Sequence, residues 1–167
     1  IVLTTTIRAL KYHGGADLKN LTEENTEALK KGLPNLEKHI ENVKQFGITP
    51  VIAINKFVSD SDAEVAIIYE FAKSQNTRVA LAEVWAKGGK GALELAQHVI
   101  DIVDENNANF TPMYHWNMNV QDKIKAIATK IYGADDVEYA PLAKRNLRTI
   151  SNLGLEHLPV CIAKTQK

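Results

Sequence analysis

Two aromatic side chains, Phe57 and Trp85, are the residues of this chain best suited to bind a flat ring. Phe57 follows the apolar run 51–54, and Trp85 follows the segment 78–84. If both segments are parallel strands, their carboxyl ends meet at one edge of a sheet, where ligands usually bind. Two aromatic faces close together form a slot for a pterin or a purine, since offset stacking contributes about 0.5–1.5 kcal/mol per pair. From the residues alone, it remains open whether both rings only cover the core against loops.

Polar side chains follow the predicted strands at the points where apolar character stops. Their coincidence at every strand end is more informative than any one of them, because ligands bind beyond the carboxyl ends of parallel strands. For His13, which precedes two glycines in a predicted loop, a site role and a structural role are both open. The residues are Arg8, Lys11 and His13 after the first strand, Asn55, Lys56, Ser59 and Asp60 after the second, Glu83 and Lys87 after the third, and Lys164, Thr165 and Gln166 after the last.

The pair Asn55-Lys56 resembles the base-reading loop of nucleotide-binding proteins related to GTPases. In that loop an amide and an acid read the base edge, while the lysine stem packs on the face of the base. The acid of the motif follows the lysine by two positions, whereas the nearest acid here, Asp60, follows by four. The alternative is a turn at the strand end in which Ser59 or Ser61 caps the next helix.

The segment Gly88-Gly89-Lys90-Gly91 joins a predicted strand to a predicted helix and could bind an anion through its exposed amides. It matches neither G-x-G-x-x-G nor G-x-x-x-x-G-K-[ST], and a tight turn between strand and helix explains the glycines equally well. The Walker A pattern occurs nowhere in the 167 residues. Any cradle for the phosphates of a nucleoside triphosphate is therefore expected outside this chain.

Composition argues against several other classes of protein. Twenty basic and twenty acidic side chains give a formal net charge of zero, which does not suit a dedicated nucleic-acid binder. No apolar run is long enough to span a membrane. The five histidines show no paired metal-ligand spacing, and the single cysteine, Cys161, excludes an internal disulfide and a multi-cysteine metal site. Cys161 falls within a predicted strand, so we expect a small core residue.

Alternating strand-like and helix-like segments must position these residues. A capping box, Ser61 to Glu64, opens a helix after the second strand, and an apolar stripe predicts a helix over 23–46 that Pro34 kinks or divides. The predicted strands are 1–7, 51–54, 78–84 and 158–163. This order predicts an α/β fold of right-handed βαβ units, in which helices flank a mostly parallel sheet and the C-terminal third is more helical. We expect an α/β domain over 1–108, and a helical segment with a final strand over 109–167 that could form a small separate lobe.

Six blocks of the sequence together resemble formate–tetrahydrofolate ligase, also called formyltetrahydrofolate synthetase. They occur in the order of that family and cover essentially the whole chain, so the resemblance is highly specific. The blocks are Thr6–Gly15, Leu36–Val43, Ala53–Phe57, Glu83–Gly89, Ile131–Ala134 and Leu158–Gln166.

The resemblance implies an enzyme that joins formate to tetrahydrofolate with ATP and Mg²⁺ through formyl phosphate. In that family the aromatic residues matching Phe57 and Trp85 flank the slot for the flat ring, which favours the site interpretation of both. Asn55, Lys56, Glu83, Lys87, Arg8 and His13 are then possible neighbours of the slot. No catalytic or metal-binding residue is assigned.

The family's P-loop lies upstream of the resembled region. A first residue other than Met and a strand at residue 1 also suggest a middle-to-late part of a longer, cytoplasmic and homo-oligomeric enzyme. We expect this part to bind without catalysing the reaction. The alternative is a non-enzymatic α/β interaction module, whose strand-end residues would bind another protein.

Overall fold

A three-stranded parallel sheet forms the centre of the first part of the molecule. A computed structural model describes residues 1–163. The strands are β1 (Val2–Thr5), β2 (Val51–Asn55) and β3 (Arg78–Ala82), in the order β1-β2-β3. Ala53 in the central strand is in register with Thr4 of β1 and Ala80 of β3. The carboxyl ends of all three strands therefore lie at the same edge, and the predicted α/β fold with a parallel sheet is confirmed.

Helices connect these strands and cover the sheet. In chain order they are α1 (Ile7–His13), α2 (Thr26–Gln45), α3 (Asp62–Ser74), α4 (Val84–Lys87) and α5 (Leu93–Glu105). Helices α1 and α2 connect β1 to β2, and α3 connects β2 to β3. Three structures therefore follow the carboxyl ends of the strands: α1 after β1, a turn over 56–60 after β2, and α4 after β3.

The first strand is shorter than predicted, because a helix begins where we expected extended chain and a loop. The side chain of Thr6 accepts a hydrogen bond from the amide of Ala9 at 3.1 Å and so caps the N-terminus of α1. Ile7 is fully buried in the core as the first residue of that helix. His13 accordingly lies at the C-terminal end of a helix and not in a loop.

Two glycines let α1 and α2 approach each other closely. A Cβ atom added at Gly14 would lie 1.7 Å from the carbonyl oxygen of Ala28, and one added at Gly32 would lie 1.9 Å from that of Leu10. Any other residue at either position would force the helices apart. This contact fixes α1, and with it Arg8, against the longer helix.

Pro34 does not divide α2, which runs as one helix from Thr26 to Gln45. The proline is exposed, so the carbonyl that loses its intrahelical donor can bond to water. The opposite face carries Leu29, Leu36 and Ile40, which are at most 3% exposed and belong to the core. Gly47, just beyond the helix, has a φ of +70° and ends it as predicted.

The central strand is buried on both faces, as its continuous apolar run predicted. Val51 to Ile54 are each at most 2% exposed, a pattern that a parallel strand covered by helices requires. The predicted capping box is also present: the Glu64 amide donates to the Ser61 hydroxyl, and the Ser61 amide donates to the Glu64 carboxylate. Together these features set where the chain leaves β2 and where α3 begins.

The chain divides into two compact units, of which the first is Ile1–Phe110 and the second begins at Thr111. The second unit contains the helices α6 (Val120–Lys130) and α7 (Pro141–Asn152). Helices are the only regular elements described in residues 111–163, where no strand is found, and Pro141 occupies the first turn of α7 as expected. None of the helices described in residues 1–163 is both long and apolar enough to cross a bilayer.

The strand predicted over 158–163 is wrong. These residues form no strand, and Cys161 is exposed and not a core residue. The backbone groups of the segment bond to side chains instead of a neighbouring strand: the Val160 amide donates to the Tyr114 hydroxyl at 3.0 Å, and Leu158 O accepts from Lys123 Nζ at 3.1 Å. Within residues 1–163, no strand pairs with the segment. An apolar pattern favours a strand only where a neighbouring strand can pair with it.

Candidate ligand site at the carboxyl edge of the sheet

The two aromatic residues proposed to form a slot follow neighbouring strands. Phe57 lies two residues beyond β2, and Trp85 lies in α4, three residues beyond β3. Phe57 is half-buried, whereas Trp85 is 65% exposed. Among the described residues the two rings are not in contact with each other; the ring contacts of residues 1–163 involve other aromatic pairs. Both rings therefore have surface available to a third planar group.

Arg8 contacts the Phe57 ring. Its guanidinium carbon lies over the ring, 4.4 Å from the centroid, and Nη2 donates a hydrogen bond to the Ser59 hydroxyl at 3.0 Å. A cation held over an aromatic face is attracted by the quadrupole of the ring. The N-terminal turn of α1 thus supports the residues that follow β2, a contact that the sequence analysis did not foresee.

Asp60 closes the turn that carries Phe57. Its Oδ2 accepts from the Phe57 amide at 2.8 Å, while the Asp60 amide donates to the Phe57 carbonyl at 3.0 Å. Asp60 is 5% exposed, and its Oδ1 has no hydrogen-bond partner among the described residues. Asp60 therefore shapes the turn, and Val58 at its tip is 86% exposed.

Lys56 and Asn55 lie on the path from the strand to this turn. Lys56 Nζ forms an ion pair with Asp62 at 2.9 Å, at the first turn of α3. Asn55 is the last residue of β2 and pairs in register with Ala82. Both residues are near Phe57 in the chain, but no hydrogen bond in the described part of the chain joins either of them to it.

Glu83 and Lys87 bracket Trp85 on α4. Lys87 Nζ lies 2.5 Å from the Glu83 carboxylate, and the Glu83 amide donates to the Gly91 carbonyl at 2.9 Å. The glycine-rich segment 88–92 forms a 3₁₀ turn, and a Cβ added at Gly91 would lie 2.5 Å from the Glu83 carbonyl oxygen. The glycines thus close a compact turn between α4 and α5.

A buried ion pair lies beneath this edge of the sheet. Lys11 and Glu64 both have fully buried side chains, and Lys11 Nζ lies 2.8 Å from Glu64 Oε1. Lys11 also donates to the Glu23 carbonyl at 2.7 Å, and the Asn25 amide donates to Glu64 Oε1 at 2.9 Å. The pair joins α1, α3 and the loop before α2.

The surroundings of Glu64 favour its ionised form. Burial of the carboxyl raises the pKa of Glu64, but hydrogen bonds from Lys11 and from the amides of Asn25 and Ser61 outweigh it and hold that pKa below its ordinary value. The sequence analysis named Lys11 as a strand-end residue and Glu64 as a capping residue, but it did not pair them. Arg8 and Lys11 are three residues apart, and a helix over 7–13 would have placed them on one face.

Two groups of predicted site residues lie apart from these contacts. His13 is exposed at the end of α1, beside the Tyr12 ring at a centroid distance of 6.1 Å. Lys164, Thr165 and Gln166 lie outside the described residues. A cavity of about 720 Å³ is found at the opposite, amino end of β3, where Thr77, Arg78 and His98 line it. It contains none of the predicted site residues, and we regard the carboxyl edge as the candidate site because the aromatic residues lie there.

Comparison with known proteins identifies the family. The family described as formate–tetrahydrofolate ligase matches residues 1–167. The chain belongs to the formate–tetrahydrofolate ligase family. It is 47% identical over 166 residues to the formate–tetrahydrofolate ligases of three Staphylococcus aureus strains, JH9, Newman and JH1, and the match covers 99% of this chain.

The chain spans about 30% of the length of these curated relatives. The match over residues 1–167 and the 47% identity confirm, at the level of the family, the resemblance noted from six sequence blocks. The match includes the strand ends that carry Phe57 and Trp85 and the buried pair Lys11–Glu64. In this chain the matched region folds as a parallel α/β sheet with Phe57 and Trp85 at its carboxyl edge.

Proposed function

We propose that this chain is the part of a formate–tetrahydrofolate ligase that forms the aromatic wall of its active site. Phe57 and Trp85 are the ring-binding residues of this proposal, and the flat ring would stack against them. The observation that carries it is the position of both aromatic residues just beyond the carboxyl ends of neighbouring strands. Trp85 is too exposed to act mainly as a cover for the core.

The proposed reaction of the longer protein is ATP-dependent formylation of tetrahydrofolate by formate, with formyl phosphate as the intermediate. ATP and Mg²⁺ are part of this proposal, but the residues described here do not fit them. No three His, Cys, Asp or Glu side chains of residues 1–163 come together as ligands for a metal ion, and the 167 residues contain no Walker A motif. We therefore assign no step through ATP or the metal to this chain, and we propose that the chain alone does not turn over.

Three further features complete the proposal. The longer enzyme is cytoplasmic and forms a homo-oligomer. In this enzyme, residues 1–108 form an α/β domain and residues 109–167 form a smaller lobe. The neighbours of the ring in this proposal are Asn55, Lys56, Glu83, Lys87, Arg8 and His13. The contact of Arg8 with Phe57 supports this for Arg8, and the ion pair of Lys87 with Glu83 on either side of Trp85 supports it for those two residues.

Ligand binding can be measured through Trp85, since the chain contains only two tryptophans. Replacing the other, Trp116→Phe, leaves Trp85 as the only indole. Titration of this variant with tetrahydrofolate, corrected for absorption by the ligand, should quench the Trp85 emission to saturation. The change Phe57→Ala should weaken binding by at least about fivefold, because a stacked aromatic side chain contributes on the order of 1 kcal/mol beyond its buried area.

The rival, an interaction module that binds another protein, predicts a different result. A correctly folded Trp116→Phe chain whose emission responds to neither tetrahydrofolate nor ATP would contradict the proposed wall. Circular dichroism at the same temperature establishes the folded state. Saturation by ATP alone would assign the slot to adenine in place of the pterin.

A further inference from the structure

The two faces of the Phe57 ring are not equivalent. The guanidinium of Arg8 lies over one face, 4.4 Å from the centroid to its central carbon. The residue as a whole is half-buried and not enclosed, so part of its surface is accessible to a ligand. A planar ligand that stacks on Phe57 without displacing Arg8 therefore has one face to use.

Arg8 is itself held in place from two directions. Its Nη2 donates to Ser59, two residues after Phe57, while its backbone belongs to α1. That helix is fixed against α2 by the close contacts of Gly14 and Gly32, and against α3 by the buried pair Lys11–Glu64. The position of the guanidinium is therefore set by the fold and not by the ligand.

The turn that carries Phe57 needs such support. It is a short connection between β2 and α3 whose tip, Val58, is 86% exposed, and among residues 1–163 the hydrogen bonds between Phe57 and Asp60 close it from within. A ring on such a turn can rotate about its side-chain bonds unless one face is covered, and a rotating ring loses entropy when a ligand binds.

We propose that Arg8 is a positioning residue for ring binding: it covers one face of Phe57 and leaves the opposite face for the ligand. This inference rests on the proposed function, because it assigns the free face to the pterin ring of tetrahydrofolate. Arg8 acts through Phe57 and makes no contact with the ligand. The cation–π attraction holds the ring in place before the ligand binds, and this preorganisation increases the affinity for a ring on the free face.

A double-mutant cycle tests this mode of action, with Trp116→Phe as the background throughout. We expect Arg8→Met to raise the Kd for tetrahydrofolate by about fivefold, or about 1 kcal/mol, because an uncovered Phe57 ring must then be ordered when the ligand binds. In the Phe57→Leu chain, where no aromatic face remains, the same change should alter the Kd by less than about twofold. Arg8→Lys keeps the charge and should restore part of the affinity. Arg145→Met removes an exposed arginine of α7 and serves as the matched control.

A second measurement requires no ligand. In NMR spectra of the full chain, the side-chain protons of Arg8 should be shifted upfield by the Phe57 ring current, and Phe57→Leu should abolish this shift. An absent shift in the unchanged chain contradicts the proposed geometry. Equal weakening of tetrahydrofolate binding by Arg8→Met in both backgrounds, or no weakening in either, overturns the positioning role. A shifted Arg8 in a chain that binds neither tetrahydrofolate nor ATP instead overturns the proposed function, and with it this role.

Discussion

At the scale of single residues, charged side chains contribute to the candidate site as well as the aromatic rings do. Arg8 lies over Phe57, and one helical turn later Lys11 forms a buried ion pair with Glu64. The aromatic residues could be found from the sequence because each follows an apolar run. The partners of Arg8 and Lys11 could not, because they are 51 and 53 residues away in the chain and depend on a helix that the pattern over 8–15 did not indicate.

The buried pair should be essential to the stability of the edge. We expect Lys11→Met to lower the free energy of unfolding by about 3–5 kcal/mol, because it leaves the Glu64 carboxylate buried without its cation. The double change Lys11→Met with Glu64→Gln should recover a large part of this loss. Urea unfolding at pH 7 measures the free energy of unfolding of the unchanged chain, of Lys11→Met and of the double variant. The matched control is Lys38→Met, which breaks an exposed pair with Glu41.

The pH dependence of stability follows from the same pair. The pKa of Glu64 is lower in the folded chain than its ordinary value of 4.5. Its contribution is therefore fully present above that value and is lost as pH falls through the lower folded pKa. Between pH 6 and pH 3 the unchanged chain should lose more stability than Glu64→Gln does. An equal loss in the free energy of unfolding for the two chains across this pH range would contradict the role given to Glu64.

At the scale of elements, β2 and β3 could be predicted from their apolar runs and α2, α5 and α6 from the helical period of their apolar residues, while N-terminal signals, a capping box and Pro141, indicated α3 and α7. The N-terminus of α3 illustrates this, since both reciprocal bonds of its capping box form. The two predictions of secondary structure that were wrong also have physical causes. A β-branched run predicted extended chain to Ile7, but the cap at Thr6 turned the backbone into α1. The run 158–163 has strand composition without a strand to pair with, and side chains satisfy its backbone.

The close approach of α1 and α2 gives a prediction at this scale. Gly14→Ala should destabilise the chain by about 3 kcal/mol, since the new methyl group would overlap the backbone carbonyl of Ala28. Gly89→Ala is the matched control, because nothing lies within 4 Å of a Cβ at that position, and its effect should stay within about 0.5 kcal/mol. Thermal unfolding compares the two. Equal midpoints for both variants would show that the helices can move apart without cost.

At the scale of the whole molecule, the chain spans about 30% of the length of its relatives and forms two compact units. Family membership, the parallel sheet and the placement of Phe57 and Trp85 at its carboxyl edge agree with what the residues predicted. The sequence could place each aromatic residue at a strand end, because apolar runs are local. It could not show that Arg8 covers one ring while Trp85 stays largely exposed, because both depend on how α1 and α4 pack.

The central claim is that Phe57 and Trp85 together bind the flat ring of tetrahydrofolate, and NMR of the complex tests it most directly. The chain would carry isotope-labelled phenylalanine and tryptophan, and the spectra would record nuclear Overhauser effects between the pterin protons and each aromatic side chain. The proposed wall predicts contacts from the bound pterin to both Phe57 and Trp85. Saturable binding in which the pterin protons contact neither Phe57 nor Trp85 would contradict it.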